Sequence, residues 1–198
     1  MKFVFAILIT LMTTLAYAQH DHGGAVTNAK AAEIASHRVG RLVDTGKVPE
    51  SFLTNMSQIT VTGLPHHTAG EPAFQVNVKQ AANSAGKQSD LKLLLDMKGK
   101  FLSHKVEAEV SGTISADWPD SPVAELIETT LHYVTEQSPA GIDMKPFNQN
   151  MKSLMVVQKK AADGSVQAAM IIESSATTKK LEITLSSSGD ILNITIAP

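Results

Sequence analysis

The sequence predicts an α+β protein made of two tandem repeats, each a helix packed on a small antiparallel β-sheet of about four strands. Three observations carry that expectation. Apolar residues recur at helical spacing in two stretches, 28–43 and 123–134. Each stretch is followed by runs that alternate apolar and polar residues, the period of a half-buried strand. The closing runs also match each other. "LKLLLDMKGKFLSHKV" (91–106) and "LEITLSSSGDILNITI" (181–196) place Leu91, Leu95, Gly99 and Leu102 against Leu181, Leu185, Gly189 and Leu192. A helix with one apolar stripe needs a sheet face to cover, and one sheet per helix is the simplest arrangement.

Residues 1–18 have the order of a secretory signal. Lys2 is the positive end, "FVFAILITLMTTLA" the apolar run and "AYA" (16–18) the small-x-small cleavage site. The run falls short of the about 20 apolar residues that span a bilayer. Cleavage after Ala18 makes Gln19 the first residue of an exported chain with no membrane anchor, periplasmic or secreted. Residues 19–26, "QHDHGGAV", read as a flexible histidine-bearing tail.

The first repeat is expected over 27–110. Ala31, Ala35, Val39 and Leu42 form the helix stripe, widened by Ile34 and Val43, and Gly46 is the stop signal. Strands follow in "SQITVTGL" (57–64) and "AFQVNVKQ" (73–80), where Phe74, Val76 and Val78 alternate with polar residues. The hairpin 91–106 turns at Gly99. The turn-rich segment 111–119 reads as a linker. The second repeat, 120–198, opens with Pro122 in a first helical turn and a stripe of Val123, Leu126, Ile127, Leu131 and Val134. "AEI" at 32–34 echoes "AEL" at 124–126. Strands are expected in "KSLMVVQKK" (152–160) and "SVQAAMIIESS" (165–175), and the last hairpin turns at Gly189.

The chain has no cysteine, which removes disulfides, thiolate nucleophiles, Cys-ligated zinc and a lipoprotein anchor. An exported protein without disulfides relies on its core alone and suits a bacterial periplasm. The formal net charge is −2 and there is no basic cluster, so nucleic acid is not an expected partner. No GxSxG, HExxH, Walker or EF-hand pattern occurs. The expected class is therefore non-catalytic. A hydrolase with a scattered Ser/His/Asp site is the third reading.

Histidines carry the alternative. Of seven, His20 and His22 flank Asp21 in the tail, and His66 and His67 lie in the loop "GLPHHTAGEP". Neutral imidazole suits Cu(II) or Zn(II), and a carboxylate completes such a set. His20, Asp21, His22, His66 and His67 are thus candidate metal ligands if the two segments converge, with copper or zinc as the ion and no other cofactor expected. His37 and His132 fall at the edges of the helix stripes. His104 aligns with Ile194, which predicts a half-buried histidine on the covered side of a sheet. The scattered methionines, Met155 and Met170 among them, read as core filling.

The first half, with "KAAEIASHRVGRLVDTGKVPESF", "FQVNVKQ" and "LKLLLDMKGKF", resembles small periplasmic proteins of the PepSY-like group. The resemblance covers about residues 20–107. It departs at Phe74, where such domains often carry tryptophan early in the second strand. It implies a non-catalytic role: inhibiting or modulating a peptidase, or binding an envelope protein or peptide. It supplies no catalytic residues.

Overall fold

The computed structural model describes residues 25–65, 68, 70–83, 85–112, 123–137 and 139–198. Helix α1 spans Asn28–Asp44. Thr27 caps it, its hydroxyl accepting from the Lys30 amide at 3.2 Å. Gly46, at φ +66°, ends it with its N–H on the Val43 carbonyl. Helix α3 spans Val123–Glu136 and buries all five apolar residues of its expected stripe. In α1 the buried stripe is broader than the sequence suggests. It takes in Ala29, Ala32, Glu33 and Ser36, while Ile34 and Val43 are only partly buried. The reason is that α1 packs against α3 as well as against the sheet.

Two short helices were not legible as periodic segments. They are α2 (Ser51–Thr54) and α4 (Lys145–Gln149), each following a long helix and preceding a strand. Phe52 and Phe147, one in each, are almost wholly buried. Burying a phenylalanine is worth about 1.5–3 kcal/mol, enough to hold so short an element in place.

The strands are β1 (Met56–Gly63), β2 (Phe74–Gln80), β3 (Lys87–Gln88), β4 (Asp90–Leu95), β5 (Phe101–Val106), β6 (Val110–Ser111), β7 (Met151–Lys160), β8 (Val166–Ser174), β9 (Thr177–Ser186) and β10 (Ile191–Ala197). Eight of them form one antiparallel sheet in the order β10-β9-β8-β7-β1-β2-β4-β5. This corrects the expectation of one small sheet per helix. β1 pairs with β7, setting Ile59 opposite Leu154 with Gln58↔Met155 and Thr60↔Ser153 on either side. Separate sheets would leave β1 and β7 as open edges, and their union removes both. Within the segment expected to be a linker, Ser111 is already paired, since β6 joins β3 in a small second sheet. Pro122 lies outside the described residues.

Alternate strand residues point to one buried side: Ile59 and Val61, Val76 and Val78, Leu91 and Leu93, Met170 and Ile172, Leu181 and Ile183. These join the inner faces of the four helices in a single apolar core. α1 and α3 each touch every other helix, which places the four in one layer, and the opposite face of the sheet is left uncovered by any described element.

The two hairpin turns share one geometry. Gly99 (φ +78°) donates to the Asp96 carbonyl, and Gly189 (φ +91°) donates to the Ser186 carbonyl. The residue after each glycine closes the turn, Asp96 N–H bonding to Lys100 and Ser186 N–H to Asp190. Only glycine takes this φ without strain.

Candidate functional site

Two regions gather polar side chains. The first is the seam between the long helices. α1 carries Glu33 and His37 and α3 carries Glu128 and His132, each pair four residues apart and so on one helical face. The helices run antiparallel, which brings each glutamate to the other helix's histidine. His132 Nδ1 lies 3.4 Å from Glu33 Oε1, and His37 Nδ1 lies 3.4 Å from Glu128 Oε2.

The two pairs differ in environment. The Glu33 side chain is 6 % exposed. It accepts from Lys30 Nζ at 2.8 Å and from the Thr135 hydroxyl at 3.1 Å. Burial pushes its carboxyl up, but Lys30, Thr135 and His132 together outweigh burial and hold it below the ordinary glutamate value. Glu128 is more open, and it borders a cavity of about 680 Å³ with Ile34, Arg38, Arg41, Asp44 and Phe101. The Arg38 guanidinium lies 4.1 Å over the Phe101 ring, a cation–π contact. Its Nε is buried and finds no acceptor among the described residues. A carboxylate–imidazole pair can move a proton or ligate a metal. Here each pair stands alone: no group of three His, Cys, Asp or Glu among the described residues could hold an ion. With three donors on it, Glu33 acts as an inter-helix clasp.

The second region is the uncovered face of the sheet. One row across it runs Lys105, Lys92, Asn77, Thr60, Ser153, Glu173 and Lys180 through successive strand pairs. Ion pairs mark it as solvent-facing: Lys92 with Glu107 at 3.5 Å, Lys180 with Glu173 at 2.7 Å, and Lys159 with Glu182. Lys105 beside Glu107, and Lys180 beside Glu173, lower both carboxyls from their ordinary values. On β1, β2 and β4 a depression of about 350 Å³ is lined by Gln58, Thr60, Gln75, Asn77, Lys79 and Asp90. Asp90 Oδ1 is buried there and finds no donor among the described residues. Beside it, exposed Met155 stands opposite Gln58 and half-buried Ile171.

The expected metal ligands His20, Asp21, His22, His66 and His67 lie outside the described residues. Their described flanks are anchored near one another. The Val26 amide donates to the Met97 carbonyl (2.9 Å), and the Ala73 amide, at the base of the 64–73 loop, donates to the Leu95 carbonyl (2.8 Å). Both flanks are thus tied to the chain just at and after the end of β4, at Leu95 and Met97. His104 sits opposite Leu93 on the helix side, half-buried, its ring centroid 6.1 Å from that of Phe101. His37 and His132 are exposed at the stripe edges, as expected, but their pairing with glutamates was missed. The signal was present as the same Glu-x-x-x-His spacing in "EIASH" and "ETTLH". The "AEI"/"AEL" echo sets the helices out of step with it.

No helix among the described residues is long and apolar enough to cross a membrane. Comparison with curated proteins and with solved structures found no match to the chain. Residues 1–109 match DUF6488, a family of unknown function. That is more than half of the 198 residues, and the chain belongs to this family.

Proposed function

We propose that this protein is an exported, non-catalytic binding or inhibitory module of the bacterial periplasm, with an envelope protein or peptide as its partner. The observation that carries the reading is the uncovered face of the eight-stranded sheet. Its amide and hydroxyl side chains, Gln58, Thr60, Gln75 and Asn77, line a depression beside exposed Met155. Such a surface offers hydrogen bonds and an apolar contact without requiring chemistry. The signal-like residues 1–18 and the PepSY-like resemblance support export and an inhibitory role. The test is retention of envelope proteins on the immobilised protein against a Thr60→Arg/Asn77→Arg variant. A protein held by the wild type and lost with the variant supports the reading. Identical retention by both removes this face as the site.

The reading includes a duplicated architecture. At one constant spacing along the chain stand Glu33/Glu128, His37/His132, Gly46/Gly141, Phe52/Phe147, Asn55/Asn150 and Met56/Met151. The same spacing takes Ile59 to Leu154, the residue it faces across β1–β7. We read the chain as two helix-plus-four-strand units related by an approximate twofold through that pair.

A second reading is a copper- or zinc-binding protein that uses His20, Asp21, His22, His66 and His67. The observation in its favour is the shared root of the two segments at Leu95 and Met97. Affinity should fall as pH drops through the histidine range, because bound imidazole is deprotonated. Cu(II) and Zn(II) titrations of His20→Ala/His22→Ala and His66→Ala/His67→Ala variants test it. A shared site loses most of its affinity with either pair, and independent weak binding by the tail alone refutes it.

A further inference from the structure

The two outer edges of the sheet are built differently. β5 carries His104 and Lys105 and leads into Glu107, whose carboxylate holds Lys105 at 2.8 Å. Charge of this kind discourages another strand from adding to an edge. β10, "ILNITIA", has no charged residue. Leu192 and Ile196 on it are 51 % and 36 % exposed, and Ile194 is only partly buried. Its irregularity, a register shift at Ile191/Asn193, and Pro198 lie at its two ends. Asn193–Ala197 is left as a regular edge, with alternate N–H and C=O groups aimed away from β9.

We propose that β10 pairs antiparallel with β10 of a second copy of this chain, joining two eight-stranded sheets into one about a twofold axis. The charge pattern selects that occupant. An uncharged strand meets its own copy with no like-charge repulsion. An acidic or basic peptide would find no countercharge on it. The chain already uses this kind of joint internally, where β1 and β7 bring its two halves together edge to edge through three residue pairs. The middle residue of β10 is Ile194, so the centred register places Ile194 beside its counterpart and Asn193 across from Thr195, three residue pairs as at the β1–β7 joint. Ile194 and Ile196 lie toward the helix side, where Ile194 faces Ile183 and Ile196 faces Leu181. The two cores would then be continuous. Asn193 and Thr195, uncharged and polar, would meet on the other face. This inference does not depend on the binding role proposed above.

The absence of cysteine makes the register directly testable. Opposed Cβ atoms in antiparallel strands lie about 4.5–5.5 Å apart, near disulfide reach. Ile194→Cys is expected to form a disulfide-linked dimer under mild oxidation at least about tenfold faster than His104→Cys on β5, the equivalent position of an edge we take to stay free. The purified wild-type protein should sediment as a dimer at about 100 μM, a concentration suited to a small interface. Leu192→Lys/Ile196→Lys, at exposed positions, should sediment as a monomer with an unchanged circular dichroism spectrum. A wild-type monomer at that concentration overturns the proposal. So does a dimer that survives the lysine variant, or equal cross-linking at 194 and 104.

Discussion

The first half of the molecule packs its long helix through alanine; the second packs through leucine, isoleucine and valine. Ala29, Ala31, Ala32 and Ala35 are buried in α1, where α3 buries Val123, Leu126, Ile127 and Leu131. The hairpin turns register the same difference. A Cβ on Gly99 would lie 2.5 Å from Ile34 Cδ1, whereas one on Gly189 would meet Leu126 Cδ2 at 3.7 Å, ordinary contact. The seam repeats it, with Glu33 buried under three donors and Glu128 31 % exposed at a cavity rim. Two regions with the same element order therefore reach stability by different routes. The first relies on close approach and a satisfied buried carboxylate, the second on the bulk of its side chains.

The largest expected effect tests where the halves agree. Phe52→Ala and Phe147→Ala should each destabilise by about 3–5 kcal/mol in chemical denaturation, since both empty a fully buried site in one shared core. A large loss for one and a small loss for the other would break the equivalence of α2 and α4. The turns come next. Gly189→Ala should cost about 1 kcal/mol for its positive φ, and Gly99→Ala about 2 kcal/mol because Ile34 must also move. Thermal unfolding of the two variants ranks them, and equal midpoints would remove the close approach from the account.

The carboxylates sharpen the comparison at smaller scale. Glu33→Gln should cost about 1–3 kcal/mol at neutral pH, as its ion pair with Lys30 is lost in a buried site. Glu128→Gln should stay within about 0.5 kcal/mol. pH separates them further. The Glu33 carboxyl is held below its ordinary value of 4.5, so its stabilisation is complete above that pH and disappears as pH falls below it. Denaturation midpoints of the wild type and Glu33→Gln should converge on acidification from pH 6 to pH 3. A gap that persists at pH 3 would mean the carboxylate charge is not what the seam uses.

Much of this fold was legible from spacing alone. The stripe of Val123, Leu126, Ile127, Leu131 and Val134, the alternation in 73–80 and the glycine turns at 99 and 189 each reflect a local rule that the tertiary structure leaves in force. What escaped is non-local. The β1–β7 joint depends on two strands almost a hundred residues apart, and nothing in "SQITVTGL" or "KSLMVVQKK" distinguishes an edge from a centre. α2 and α4 are too short to show a period, and single phenylalanines hold them. The Glu–His pairs needed the helix alignment, since a glutamate on a helix face reads as solvated until a second helix covers it. The candidate metal ligands His20, Asp21, His22, His66 and His67 rested on residue type and lie outside the described residues.

Two differently packed halves share one core, continuous across the β1–β7 joint. Native-state amide hydrogen exchange tests it at Val76 in the first half, Met170 in the second and Ile59 and Leu154 at the joint. A single opening free energy is expected for all four, lowered by the same amount in Phe52→Ala. Exchange that speeds up at Val76 while Met170 keeps its wild-type protection would contradict it.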